Sequence, residues 1–295
     1  MSLIHVSDEV RDALAAGGAV VALETTLVAH GFPAPQGVEV GLASERRVRE
    51  AGAVPATIGV LDGQVRVGLT EQELARFTPE ARKCGPRDLA ATAVQGAVGG
   101  TTVGGTVAAA RAVGIRFMGT GGLGGVHRGF PTPPDVSADL GELARSEVLV
   151  VSSGVKSLLD VPATAELLET LGIPVLGYRT DELPRFYAAR GGPPVSARVE
   201  SAEEAAQVAK AHWTLGRAAV LLARPPTRSL DDVEPLIERA LAEADLQGVS
   251  GQAVTPFVLA YLHRASGGRT EQANLELIAD NVALAAEVAV AYAGL

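Results

Sequence analysis

Lysine is scarce in this chain. Of 25 basic residues only Lys83, Lys156 and Lys210 are lysines, and the rest are arginines. Arginine keeps its proton in a protein, whereas lysine can become a neutral amine and attack carbon. Each lysine therefore marks either a position where a guanidinium fails or a chance surface survivor. Lys156 stands in Gly154-Val155-Lys156-Ser157, after the apolar run EVLVVS (147–152) and before a second apolar stretch. Desolvation there disfavours the ammonium, which suits a Schiff-base nucleophile. The plainer alternative is a lysine that snorkels or pairs with Asp160. Lys83 sits in a loop before a helix, in Arg82-Lys83-Cys84-Gly85-Pro86-Arg87-Asp88, which suits a ligand contact. Cys84 has no evident base partner and reads as inert. Lys210 falls on the polar face of an amphipathic stretch and reads as a surface residue.

Glu24 closes the apolar run AVVAL (19–23), with Thr25 and Thr26 behind it. A carboxylate at a buried strand end is either hydrogen-bonded by nearby hydroxyls or a proton donor with a raised pKa. The loop Gly119-Thr120-Gly121-Gly122-Leu123-Gly124 matches G-x-G-x-x-G, but prolines 131, 133 and 134 follow where a dinucleotide fold needs a long helix. Two readings remain. One is an oxyanion cradle of backbone N–H groups, with the Thr120 hydroxyl and positive charge from His127 and Arg128. The other is a tight packing loop. The following Asp135-Val136-Ser137-Ala138-Asp139 is either a helix cap or a site where Asp135 or Asp139 holds magnesium or manganese with water.

The elements that must position these groups alternate short apolar runs with helical periodicity, the signature of an α/β protein. Strands are predicted at 19–23, 57–61, 64–67, 115–120, 147–152, 174–178 and 218–223. Helices are predicted at 8–16, 36–52, 70–77, 87–98, 102–113, from Lys156 through 170, and at 180–187, 201–215, 230–246, 255–266 and 270–293. Asp62-Gly63 predicts a two-residue hairpin. The expected architecture is a single domain over 1–295, a three-layer α/β/α sandwich with a mixed central sheet. Ligands in such sheets collect at the carboxyl ends of the strands. Glu24, the glycine loop and Lys156 all fall there.

Composition narrows the function. Apolar residues make up 47% and charged residues 20%, which excludes intrinsic disorder. A net charge of −9 argues against nucleic-acid binding through a broad basic face. One cysteine can form neither an intrachain disulfide nor a four-thiolate metal site. No basic head precedes an apolar core at the start, and no apolar run reaches the roughly 20 residues a bilayer demands. A soluble, cytoplasmic protein with no membrane partner is expected.

Taken together, several segments resemble the pseudouridine-5′-phosphate glycosidases, also called the indigoidine synthase A-like family. They are Val20 through Thr26 with His30-Gly31, Val54-Pro55-Ala56-Thr57-Ile58, and Lys83 with Arg87-Asp88-Leu89. Thr101-Thr102-Val103, the run from Thr120 to Gly129, Asp135 through Leu140, Gly154-Val155-Lys156-Ser157, Thr255-Pro256-Phe257 and Asn274 complete the set. The similarity runs from about residue 6 to the end. It departs at 130–134, proline-rich where relatives are more polar, and at Ser152-Ser153.

The resemblance implies reversible cleavage of the C-glycosidic bond of pseudouridine 5′-phosphate to uracil and ribose 5-phosphate. It makes Lys156 the nucleophile that forms an imine with ring-opened ribose, and Glu24 the proton donor for ring opening. It makes Lys83, Val103, Ser137, Ala138 and Asp139 substrate contacts and Asp135 the Mn²⁺-linked aspartate. Thr120 and His127 look like the phosphate end, and Asn274 like a uracil contact. It further implies one Mn²⁺ per subunit and a homotrimer. The chemistry suits the residues: a carbon leaving group is hard to expel by an oxocarbenium route, and tethering opened ribose to an amine offers another. A Schiff-base lyase on another phosphosugar and a non-catalytic phosphometabolite-binding protein are the rival readings.

Overall fold

In the computed structural model, residues 2–129, 135–230, 232–249 and 251–295 are described. The apolar runs become strands: β1 (Ile4–Val6), β2 (Val20–Glu24), β3 (Val54–Leu61), β4 (Gln64–Val67), β5 (Arg82–Cys84), β6 (Gly99–Thr101), β7 (Phe117–Gly119), β8 (Val126–His127), β9 (Leu149–Ser152), β10 (Leu159–Asp160), β11 (Val175–Tyr178), β12 (Ala197–Val199) and β13 (Val220–Ala223). Between them lie α1 (Asp8–Ala15), α2 (Gln36–Glu50), α3 (Glu71–Leu74), α4 (Leu89–Val94), α5 (Val103–Ala112), α6 (Ala138–Leu143), α7 (Val161–Thr170), α8 (Ala202–Thr214), α9 (Glu234–Leu246), α10 (Val254–Ala265) and α11 (Arg269–Ala293).

Eleven strands among the described residues form one sheet in the order β1-β4-β3-β2-β7-β9-β13-β11-β12, with β6 and β5 continuing beside β3. Every pairing is parallel except β3 with β4 and β3 with β6. Asp62 and Gly63 both take positive φ, 52° and 76°, the geometry of the tight hairpin that joins β3 to β4. All side chains of β2, β9 and β13 are buried. Successive side chains on a strand point to opposite faces, so both faces are covered. Helix α11 lies along β2, β7 and β9 and packs on α2 and α8, while α5 packs on β2, β3 and α6. The expected three-layer mixed α/β architecture is borne out.

The topology sets the site. Strands β2, β7 and β9 are parallel neighbours, so their carboxyl ends lie side by side. Glu24 ends the first, the glycine loop leaves the second, and the segment carrying Lys156 leaves the third. Three stretches far apart in sequence are thereby delivered to one edge.

Several predicted elements differ. Residues 180–187 form no helix: Phe186 has φ 61°, its N–H bonds the Ser153 carbonyl at 3.0 Å, and Pro184 removes another donor. The helix expected from Lys156 begins at Val161, because the Asp160 side chain accepts the Ala163 N–H and caps it there. The helix predicted over 87–98 stops at Val94, and Gly99–Thr101 becomes a strand. A Cβ at Gly99 would stand 2.5 Å from Cys84 Sγ, an approach only glycine permits. Strands β1, β5 and β12 are too short to show a period in the sequence. No helix among the described residues is long and apolar enough to cross a membrane.

Candidate active site

Two connected hollows open at the carboxyl edge. An apolar one is lined by Leu27, Phe32, Phe186, Leu259 and Ile278, with Thr120 and Asn274. A polar one is lined by Arg87, Thr102, His127, Asp135, Ser137 and Asp139. Glu24, Thr26, Lys83, Lys156 and Thr255 line both. They form one cleft with an apolar wing, a polar wing, and both amines and the carboxyl at the junction.

Glu24 is 8% exposed, and Thr120 Oγ1 donates to its Oε1. Burial pushes its carboxyl above the usual carboxylate range, against the pull of Lys156, the Thr120 hydroxyl and Lys83; Asp139 adds to the rise. A carboxyl so placed keeps its proton at higher pH and can act as an acid. The two outcomes left open by the sequence coincide: Glu24 is hydrogen-bonded by a hydroxyl and raised.

Lys156 is partly exposed in the cleft, and its backbone is fixed on both sides. Its N–H bonds the Leu123 carbonyl at 3.1 Å, and its carbonyl accepts the Leu159 N–H at 3.0 Å. The alternative partner Asp160 is committed to capping α7. Lys83 rests on β5. Burial, with the repulsion of Lys156, brings its amine down to about 8, while Asp139 and Glu24 pull the other way. Lys210 is on the surface, its Nζ 2.8 Å from the Leu295 carbonyl, and the Cys84 thiol is buried and pushed up by burial.

The glycine loop is a packing loop and not an N–H nest. None of its glycines from Gly119 to Gly125 has positive φ. The N–H groups of Thr120, Leu123, Gly124 and Val126 already serve Val151, Gly154, Asp139 and Thr164. The glycines permit close approach instead: a Cβ at Gly122 would lie 2.5 Å from the Phe186 ring, and one at Gly124 would lie 2.3 Å from Ser137 Oγ.

Two of the positive charges expected there are absent from it. Arg128 turns away to the Ser157 carbonyl at 2.8 Å and to Glu234 at 2.7 Å, in a separate hollow shared with Arg185. Burial pushes the His127 imidazole below its ordinary value, Lys83 and Lys156 add to this, and Asp135 opposes. His127 is therefore neutral at pH 7. Thr120 faces the apolar wing and His127 the polar wing, so the structure does not bring these two together.

The acidic segment performs the capping role. Ser137 caps α6 through the Asp139 N–H. Asp139 is 4% exposed, and its carboxylate accepts the Gly104 N–H at 2.7 Å and the Gly124 N–H at 3.0 Å, tying α5 to the glycine loop. Asp135 is open to the cleft, its Oδ2 3.7 Å from His127 Nδ1. No group of three His, Cys, Asp or Glu ligands occurs among the described residues. A carboxylate beside a neutral imidazole still fits a hard cation that completes its shell with water. The Val103 side chain is buried in the core, and its neighbour Thr102 lines the cleft. Ala138 and Asn274 line the polar and apolar wings respectively. Residues 130–134, the proline-rich departure, lie outside the described residues.

Sequence reasoning missed Phe186, which walls the apolar wing, and Asn281, which is fully buried on α11. Asn281 sits seven residues after Asn274 on one helical face, a spacing that could have drawn attention to it.

Gly154 shows how closely the strand end before Lys156 is built. It has φ 74°, and a Cβ there would stand 2.0 Å from the Pro184 carbonyl oxygen. Gly154→Ala is expected to lower unfolding free energy by about 2–4 kcal/mol, from left-handed strain plus overpacking. A urea titration matching the wild type would show that this approach is not so close.

The chain belongs to the family described as indigoidine synthase A like protein, whose profile matches residues 9–291. The resemblance carried by the motifs is borne out. Among its relatives, the pseudouridine-5′-phosphate glycosidase of Sorangium cellulosum is 46% identical, over 99% of this chain and 94% of that one. The protein of the same name from Streptomyces griseus is 48% identical, over 98% and 92%. Among solved structures, the prealnumycin C-glycosynthase AlnA in complex with ribulose 5-phosphate superposes with a TM-score of 0.90 at 40% identity, covering 100% of this chain and 98% of that one.

Proposed function

We propose that this chain cleaves the C-glycosidic bond of pseudouridine 5′-phosphate, reversibly, to uracil and ribose 5-phosphate. The observation that carries the reading is the junction of the cleft: a buried Glu24, its carboxyl pushed above the usual range by burial, beside two amines where three parallel strands end. The full-length relatives named for this activity agree with it.

The residues divide the work. Glu24 protonates the ribose ring oxygen and opens the ring. The Lys156 amine bonds to C1′ as the bond from C1′ to the ring oxygen breaks, and the amine passes its proton to the Glu24 carboxylate; the C1′–C5 bond then breaks as uracil C5 takes that proton, and an imine holds the sugar. Water adds to the imine, releasing ribose 5-phosphate and the amine. Leu27, Phe186 and Ile278 offer an apolar slot for the flat base, with the Asn274 amide at its edge. Lys83 and Arg87 supply positive charge in the polar wing for the phosphate. Asp135, with His127 and water, would hold Mn²⁺ there, adding further positive charge beside the sugar phosphate. A homotrimer belongs to the same reading, and light scattering of the purified protein tests it.

Incubation with pseudouridine 5′-phosphate and Mn²⁺ is expected to liberate free uracil. If none appears while ribose 5-phosphate binds, the chain is a phosphosugar binder. The ribulose 5-phosphate held by the C-glycosynthase neighbour favours one second reading, Schiff-base chemistry on another phosphosugar. Turnover of such a sugar phosphate in preference to pseudouridine 5′-phosphate would select it.

Lys83 makes the reaction sensitive to alkali. Its amine is charged below about 8 and loses that charge as pH rises. The KM for the phosphorylated substrate is expected to climb above that pH by roughly tenfold, an order set by about 1.4 kcal/mol of lost charge contact. Lys83→Arg, which stays charged, is expected to hold KM flat to pH 9.5. A wild-type KM equally flat would remove Lys83 from phosphate binding.

A further inference from the structure

We infer that Asn281 is a positioning residue that locks the proton-donor arm of the cleft to the nucleophile arm. The inference rests on the reading just given of Glu24 and Lys156. Asn281 is 0% exposed on α11, and its amide meets both arms at once. Nδ2 lies 2.8 Å from the Thr120 carbonyl and 3.3 Å from the Gly121 carbonyl, on the loop leaving β7. The same nitrogen lies 3.1 Å from Ser153 Oγ, on the segment leaving β9.

Each contact leads directly to a reacting group. The residue whose carbonyl Asn281 holds, Thr120, donates its hydroxyl to Glu24. Ser153 stands three residues before Lys156, and its own N–H bonds the Gly121 carbonyl at 2.9 Å. Its carbonyl accepts the Phe186 N–H, which places the ring that walls the apolar wing. One amide thus fixes the spacing of acid, amine and base slot. A buried amide with two N–H groups suits the task, because it can donate to the Thr120 carbonyl and the Ser153 hydroxyl at once, beside the backbone bond from Ser153 to Gly121. Asn274 and Ile278 precede it on the same helical face and line the cleft themselves. Helix α11 therefore presents a ligand contact at its outer end and a brace further in.

The test uses the full chain. Asn281→Asp keeps the volume but replaces the donating nitrogen with an oxygen. Ser153→Ala removes only the β9 partner and is the milder change. Per folded molecule, measured by circular dichroism, kcat for uracil release is expected to fall at least 30-fold in Asn281→Asp and about threefold to tenfold in Ser153→Ala. KM is expected to stay within about threefold, since neither residue touches substrate. Borohydride trapping of ribose 5-phosphate is expected to slow in parallel with kcat. Wild-type kcat per folded molecule in both variants overturns the inference, as does a loss confined to thermal stability. A wild-type protein that releases no uracil overturns the proposed function, a distinguishable result.

Discussion

Lys156→Ala is expected to abolish turnover, with kcat falling at least about 10³-fold, because removing a covalent nucleophile leaves only binding and electrostatics. In the wild type, borohydride added with ribose 5-phosphate is expected to freeze the imine as a secondary amine on the Lys156 peptide. In the variant no sugar adduct is expected. Lys156→Arg is expected to be equally dead, since a guanidinium stays protonated. The informative failure is an adduct that persists in Lys156→Ala. Lys83 is the other amine at the cleft junction, and its depressed basicity would then make it the nucleophile.

Glu24→Gln is expected to lower kcat by about 10²–10⁴, the range for loss of a general acid. The amide oxygen still accepts from Thr120, so the cleft keeps its shape. The wild-type rate is expected to fall as pH rises through the elevated pKa of Glu24, because only the protonated form would donate, and this limb is expected to be absent from the variant's profile. Wild-type stability falls over the same range. Burial makes the ionised carboxylate unfavourable in the folded state, a penalty fully present above the raised pKa and gone below the ordinary value of 4.5. Glu24→Gln removes that penalty and is expected to unfold at higher urea than the wild type at pH 7, but not at pH 4. A variant that turns over at the wild-type rate would end the proton-donor assignment.

Much of this site was legible in the residues alone. Glu24 and Lys156 follow apolar runs too short for helices, and parallel sheets gather strand ends, so their meeting could be anticipated. Asp62-Gly63 announced its hairpin because only residues tolerant of positive φ fit there. What could not be read depends on distant partners. The glycines at Gly122 and Gly124 look like an anion loop, yet their neighbours Phe186 and Ser137 come from elsewhere and explain them by crowding. Arg128 carries a charge whose direction is decided by Glu234, more than a hundred residues on. Phe186 sits in a stretch with helical composition, and its bond to the Ser153 carbonyl, with Pro184 two residues before it, overrides that composition.

The brace on α11 also dictates when the cleft can exist. Glu24 emerges early in synthesis, but the groups that hold its loop arrive with the final helix. At about 5–20 residues per second, tens of seconds pass on the ribosome before Asn281 can reach Thr120. During that interval the central strands have no α11 to cover β2, β7 and β9, so their apolar face must be shielded by another agent or left unpaired. A nascent chain stalled before residue 270 is therefore expected to recruit chaperones and to lack any reactive amine pocket.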